Sequence, residues 1–248
     1  MTGHELWKIL DQLKGEGYEW IDLSYEVSPQ TPHYEGFRDL QINEVLSFAE
    51  HKVCSREYTL VSQYGTHVDP PGHFVEGARP LDKITVREMV LPLCVIDASA
   101  RAAADPDYGL TKEDLLDWEK INGPIPAGSF VAMRTDWHQR QGPAFLNKDA
   151  QGDCHYPGWT LPALQFLCEE RQVGAIGHEP PDTDPAVTAK TALWAGELYY
   201  LKQDKYQVEM LRNLDRLPAA GAVIFCTFPA LKDAPGFTAR CFAITPKG

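Results

Sequence analysis

Short apolar runs alternate with polar stretches from one end of this chain to the other. Leu6, Ile9, Leu10 and Leu13 fall at helical spacing and predict an amphipathic helix over Glu5–Leu13. Trp20–Leu23 reads as a strand, and Arg56–Val61 alternates as a strand does. Leu91–Asp97 and Phe130–Arg134 are compact apolar strands. Between them Thr111–Trp118 is helical, with Thr111 as N-cap and Asp114 three residues on. Leu161–Arg171 has the pattern of a surface helix leading into a strand at Val173–Gly177. Tyr206–Leu214 looks like a short helix, and Ala222–Phe228 and Cys241–Ile244 complete a sheet. Strand and helix alternate without a Ser/Gly-rich linker or an internal repeat, which predicts an α/β fold with residues 1–248 forming one domain.

Composition narrows the class. With 248 residues and 44% hydrophobic content the chain can bury a large core. A net charge of -12 argues against nucleic acid as partner, because phosphate recognition needs clustered Lys and Arg. No apolar run approaches the roughly 20 residues that span a bilayer. The segment Met1–Glu5 is polar, unlike a signal peptide, so the expected location is cytoplasmic. The six cysteines are scattered without a CxxC pair and read as small apolar filler, not as a disulfide scaffold.

The chemistry concentrates in Ser62–Phe74. His67 and Asp69 stand at i and i+2, on one face of an extended segment. Pro70 holds Asp69 extended, and Pro71-Gly72 turns the chain so that His73 can return toward the same point. Histidines beside a Pro-rich turn are common surface residues. Here Gly65, Pro70, Pro71 and Gly72 fix the geometry of three ligand-type side chains, and imidazole plus carboxylate suits zinc or manganese.

The stretch Gly65-Thr66-His67-Val68-Asp69-Pro70-Pro71-Gly72-His73-Phe74 resembles the signature of the metal-dependent cyclase/hydrolase family, which includes bacterial kynurenine formamidases and isatin hydrolases. Ile21–Ser24, Ser28–Pro32, Arg134–Trp137, Tyr156–Gly158, Ala175–Gly177 and Asn213–Pro218 follow in the family's order. The resemblance implies a swivelling β/β/α fold, metal ligation by His67 and Asp69, and His73 as acid/base. It also makes Glu209, six residues before Asp215, a candidate ligand. Two positions depart from the formamidase pattern: Gln63 stands where the first histidine belongs, and Glu197 where a later one does. Both offer oxygen in place of nitrogen, which favours manganese, magnesium or zinc in an oxygen-rich site.

Elsewhere, Gly177–Pro185 reads as a solvated acidic loop with Pro turns, although His178 and Glu179 are candidates for the missing imidazole or carboxylate. Trp137 and His138 follow a strand end and border the expected pocket. Tyr34, Phe74 and Trp159 are candidates for an aromatic wall. The expected activity is hydrolysis of a linear or cyclic amide by metal-activated water, with a small aromatic or cyclic amide as substrate and a homodimer or homotetramer as the assembly. A lyase or cyclase using the same ion, or a non-catalytic metal-binding module, remains open. No Gly-x-Ser-x-Gly elbow is present, which disfavours covalent catalysis.

Overall fold

The computed structural model describes residues 4–189 and 191–247; Met1–Gly3 of the N-terminal reading lie outside them. The strands are β1 (Tyr18–Asp22), β2 (Gln41–Leu46), β3 (Ser55–Thr59), β4 (His67–Asp69), β5 (Val90–Asp97), β6 (Gly109–Leu110), β7 (Phe130–Arg134), β8 (Gly158–Trp159), β9 (Ala175–His178), β10 (Tyr206–Glu209), β11 (Ala220–Thr227), β12 (Phe237–Thr238) and β13 (Arg240–Pro246). Among the described residues, nine of them form one sheet in the order β1-β13-β11-β5-β7-β9-β10-β4-β12. β5, β7, β9 and β10 run parallel, and the flanking pairs are antiparallel.

Connectivity forces this sheet to curl. β12 sits at one edge and β13 beside the other, yet Ala239 alone joins them. Laid flat, seven strand spacings would put about 34 Å between them, whereas two residues reach about 7 Å. The curl is filled by Ile21, Leu93, Val95, Phe130, Ala132, Val208, Ile224 and Ala243. Its outer face carries Cys94, Ile96, Val131, Met133 and Ile176, packed against Leu115 and Trp118 of the helix Lys112–Asn122 and Tyr200 and Leu201 of the helix Ala195–Lys202. Each central strand thus alternates between two apolar layers, which is why these strands read as continuous apolar runs.

The helix after Thr111 starts at the predicted cap: Thr111 Oγ1 accepts from Asp114 N, and the Asp114 side chain accepts from Thr111 N. Three expectations need correction. Tyr206–Glu209 is a strand, because Tyr206 and Val208 face the inner core while Gln207 and Glu209 face outward. The helix at Leu161 is α-helical only to Gln165 and continues as a π-helical turn over Phe166–Glu170. Gly177–Pro185 is no solvated loop, since His178, Glu179, Thr183 and Asp184 are all buried.

Candidate metal centre

β4 and β10 pair so that His67 lies opposite Glu209 and Asp69 opposite Gln207. Opposite residues of an antiparallel pair share a face, so all four side chains leave the outer face, while Val68 and Val208 enter the core. Gly65, at φ +63°, makes the turn into β4, where a side chain would strain the backbone. At Gly236 a Cβ would meet Gln63 Nε2 at 2.5 Å and Asp69 Oδ1 at 2.8 Å, so only glycine fits against the site.

His67 Nε2 is 3.2 Å from Asp69 Oδ2 and 3.4 Å from Glu209 Oε2. Its Nδ1 lies 2.7 Å from the Gly65 carbonyl, which can only accept. The proton therefore belongs on Nδ1, and Nε2 is the nitrogen turned to two carboxylate oxygens. That arrangement is repulsive unless a proton or a metal ion stands between them. Asp69 Oδ2 is buried without a hydrogen-bond partner, as expected of an atom kept for an ion. Four-coordinate zinc with bonds near 2.1 Å separates its ligand atoms by about 3.4 Å, close to the spacings found here. His67, Asp69 and Glu209 therefore fit a divalent ion. A second group, Asp69, His73 and Glu197, also places its ligand atoms within 4.8 Å of one another.

Without an ion, a proton on His67 does that bridging. Burial works against ionisation of Asp69, but His67 and His73 outweigh it and hold the carboxyl at about 2. Burial likewise opposes charge on Glu209, which His178 and His67 bring below the usual range. Burial also disfavours charge on His67, yet Asp69 and Glu209 raise its pKa well above the ordinary value. The surplus negative charge falls on the neighbours. Burial and Glu209 push Asp182 up to about 7 and Glu197 well above the carboxylate range. Among the described residues no Lys or Arg pairs with these carboxylates, so a cation is what the cluster lacks.

The surrounding residues have distinct places. His73 ends the 3-10 turn Pro71–His73, with Nε2 3.9 Å from Asp69 Oδ1, and its side chain is partly exposed. Gln63 Nε2 lies 3.3 Å from Asp69 Oδ1, His73 Nδ1 and the Pro235 carbonyl, and Gln63 Oε1 accepts from Ser62, so this amide links Asp69 to His73. Glu197 is buried and accepts from Gln207 Nε2 at 2.8 Å; the same amide donates to Glu209 Oε1 at 3.0 Å. His178 Nδ1 accepts from Trp159, which leaves Nε2–H facing Glu209 Oε1 at 3.4 Å: a support for the glutamate.

Other candidates stand apart. Glu179 accepts from Thr135 N, Thr135 Oγ1 and Trp137 N and pairs with His138 Nδ1 at 2.7 Å, away from the His67 group. Trp137 is buried and donates to the Phe145 carbonyl. Tyr34 is exposed, on the rim of a cavity of about 110 Å³ that also touches Tyr156, Asp182 and Trp194. Phe74 meets His73 and Trp194 edge-on. Gln207 and Trp194 were not anticipated. The alternation Tyr206-Gln207-Val208-Glu209 was the available signal for Gln207, while nothing local marks Trp194.

Residues 21–185 match the model of the Cyclase family, described as "Putative cyclase". The chain is 36% identical over 193 residues to an isatin hydrolase of Roseibium aggregatum, covering 74% of this chain and 72% of that protein. This chain belongs to the cyclase family. Two solved structures extend the likeness: isatin hydrolase A from Labrenzia aggregata bound to benzyl benzoate (TM-score 0.92, 29% identity, 98% of this chain and 100% of that one) and an isatin hydrolase bound to the product analogue thioisatinate (TM-score 0.91, 28% identity, 100% of both chains). The curled mixed sheet is thus the family's fold.

Proposed function

We propose that this cyclase-family member is a metal-dependent hydrolase that opens a cyclic amide of the isatin type, adding water across a C–N bond to give a carboxylate and a freed amine. The observation that carries the chemistry is His67 Nε2 set against Asp69 and Glu209 at 3.2 and 3.4 Å. The substrate class follows from the isatin hydrolases that the chain resembles. His67, Asp69 and Glu209 would hold the ion, with Gln63 and Glu197 as flanking oxygen donors. One nitrogen among oxygens suits manganese or zinc. When bound, such an ion lowers the pKa of water from 15.7 toward about 7 and polarises a carbonyl.

His73 moves the proton. The Gln63 amide nitrogen, oriented by the acceptors Asp69 Oδ1 and the Pro235 carbonyl, lies 3.3 Å from His73 Nδ1 and fixes the ring. Nε2 is therefore the ring nitrogen left to exchange protons with the reacting groups. Phe74, edge-on to both His73 and Trp194, and Trp194 beyond it give a flat ring apolar surface, and Asp182, hydrogen-bonded by Tyr156, closes the neighbouring cavity. Gln207 fixes Glu197 and Glu209 together, which keeps the carboxylates from turning away from His67.

The catalytic unit in this reading is the whole chain, 1–248, since Glu209 lies beyond the family match yet faces His67. A homo-oligomer, dimer or tetramer, is part of it. No side chain of the β2–β3 hairpin is fully buried, and the hairpin exposes Ile42, Val45 and Tyr58, while the first helix exposes Leu6, Ile9 and Leu10. A cytoplasmic location accords with the free cysteines Cys54, Cys94, Cys168, Cys226 and Cys241, and among the described residues no helix is long and apolar enough to cross a membrane. The test is hydrolysis of isatin, N-formylkynurenine and simple cyclic imides, with and without chelator. Turnover of isatin that chelation and His73→Ala both suppress supports the reading; turnover indifferent to both rejects it.

A further inference from the structure

A cleft of about 910 Å³ opens where β12 runs into β13, and none of His67, Asp69, His73 or Glu209 borders it. Tyr25, Phe228, Arg212 and Arg240 are among its walls. Arg240 is neutralised by Asp22 at 2.6 Å. Arg212 is not neutralised: its side chain has no hydrogen bond or ion pair among the described residues, and its Nε is buried without a partner. Its place is nevertheless fixed. The backbone N donates to the Leu23 carbonyl, and the guanidinium lies over the Tyr25 ring at 5.3 Å. A charged donor left buried without an acceptor is costly, and in a chain of net charge -12 carboxylates are abundant, yet none is supplied.

The other polar groups of the cleft say what would fill it. Ser24 Oγ donates to the Cys241 carbonyl, Thr227 Oγ1 to the Arg240 carbonyl, Thr238 Oγ1 to the Tyr64 carbonyl and Tyr25 OH to the His138 carbonyl. Among the described residues that line the cleft, the Arg212 guanidinium is the one cation without a carboxylate partner, and exposed Glu26 is also in the lining. One free cation beside an acidic rim suits a monoanion better than a phosphate. The fork matches the two oxygens of a carboxylate, and Tyr25 and Phe228 offer aromatic surface next to it. We propose that this cleft is a second ligand site, which takes a small aromatic carboxylate with its charged end on Arg212 and its ring along Tyr25 and Phe228.

The site is read without turnover, so its fate is separate from that of the hydrolase proposal. 2-Aminobenzoate, followed by its own fluorescence, is titrated into the metal-loaded full chain. The expected result is saturable binding that weakens about tenfold or more in Arg212→Gln and less in Arg212→Lys, with both variants checked for native circular dichroism. Neutral 2-aminobenzamide should fail to bind, and inorganic phosphate should fail to compete. Equal affinity of wild type and Arg212→Gln, equal binding of the amide, loss of binding on chelation, or no saturable binding would each overturn the proposal.

Discussion

Two histidine–carboxylate groups belong to the same sheet, one on β4 and β10 and the other where the chain leaves β7 and β9, and they are built to opposite ends. At His138, Glu179 accepts from two backbone amides and a hydroxyl besides the imidazole, so its oxygens are fully engaged. At His67, two carboxylates face one imidazole nitrogen, and Asp69 Oδ2 has no hydrogen-bond partner. Residue types and burial are alike; satisfaction differs. A carboxylate saturated by backbone N–H groups holds a loop in shape, here the turn carrying Trp137. One left short of donors while buried is costly to fold unless a ligand completes it, and that cost marks the site.

Substitutions at the two groups should separate these roles. Asp69→Asn is expected to abolish ion binding and lower turnover by roughly a thousandfold or more, while leaving the fold intact by circular dichroism. Glu179→Ala should do the reverse. It strands several buried donors and should cost about 3 kcal/mol of stability, read by denaturant titration, with ion affinity retained; lost ion affinity there would dissolve the contrast. His73→Ala should cut kcat about a hundredfold or more and leave ion stoichiometry unchanged. Chelation should lower the unfolding midpoint of the wild type, since an ion at about 100 times its Kd contributes about 2.7 kcal/mol; Asp69→Asn should show no such drop.

The smallest effect is expected at His138. Burial disfavours its charge, but Glu179 and Asp215 raise its pKa above the ordinary value. A histidine raised on folding adds stability that is fully present below its unfolded pKa of about 6.5 and is lost as pH rises through the folded value. Stability of the wild type should therefore decline above about pH 6.5, and His138→Gln should flatten that decline.

Much of this was legible in the sequence because it is local. The i, i+2 spacing of His67 and Asp69, the Pro70 stop and the Thr111 cap depend on a few bonded neighbours, and the structure keeps all three. β10 carries a pattern that also suits a helix, because four residues are too few to separate the two periods and its partner β4 lies well over a hundred residues earlier. The acidic loop after β9 has the local pattern of a solvated one, because polarity normally means exposure. Here Thr183 donates to Gln207, and Asp184 accepts from Gly196 and Glu197 N, so the loop is buried by long-range pairing that no local pattern carries. Gln63 and Glu197 are marked only by the family pattern, and no local pattern marks Trp194.

The most direct test is calorimetric titration of manganese or zinc into ion-free wild type, Asp69→Asn and Glu179→Gln. A tight site that vanishes in Asp69→Asn and persists in Glu179→Gln is the predicted result. Equal binding by wild type and Asp69→Asn would contradict the assignment of the ion to the face shared by β4 and β10.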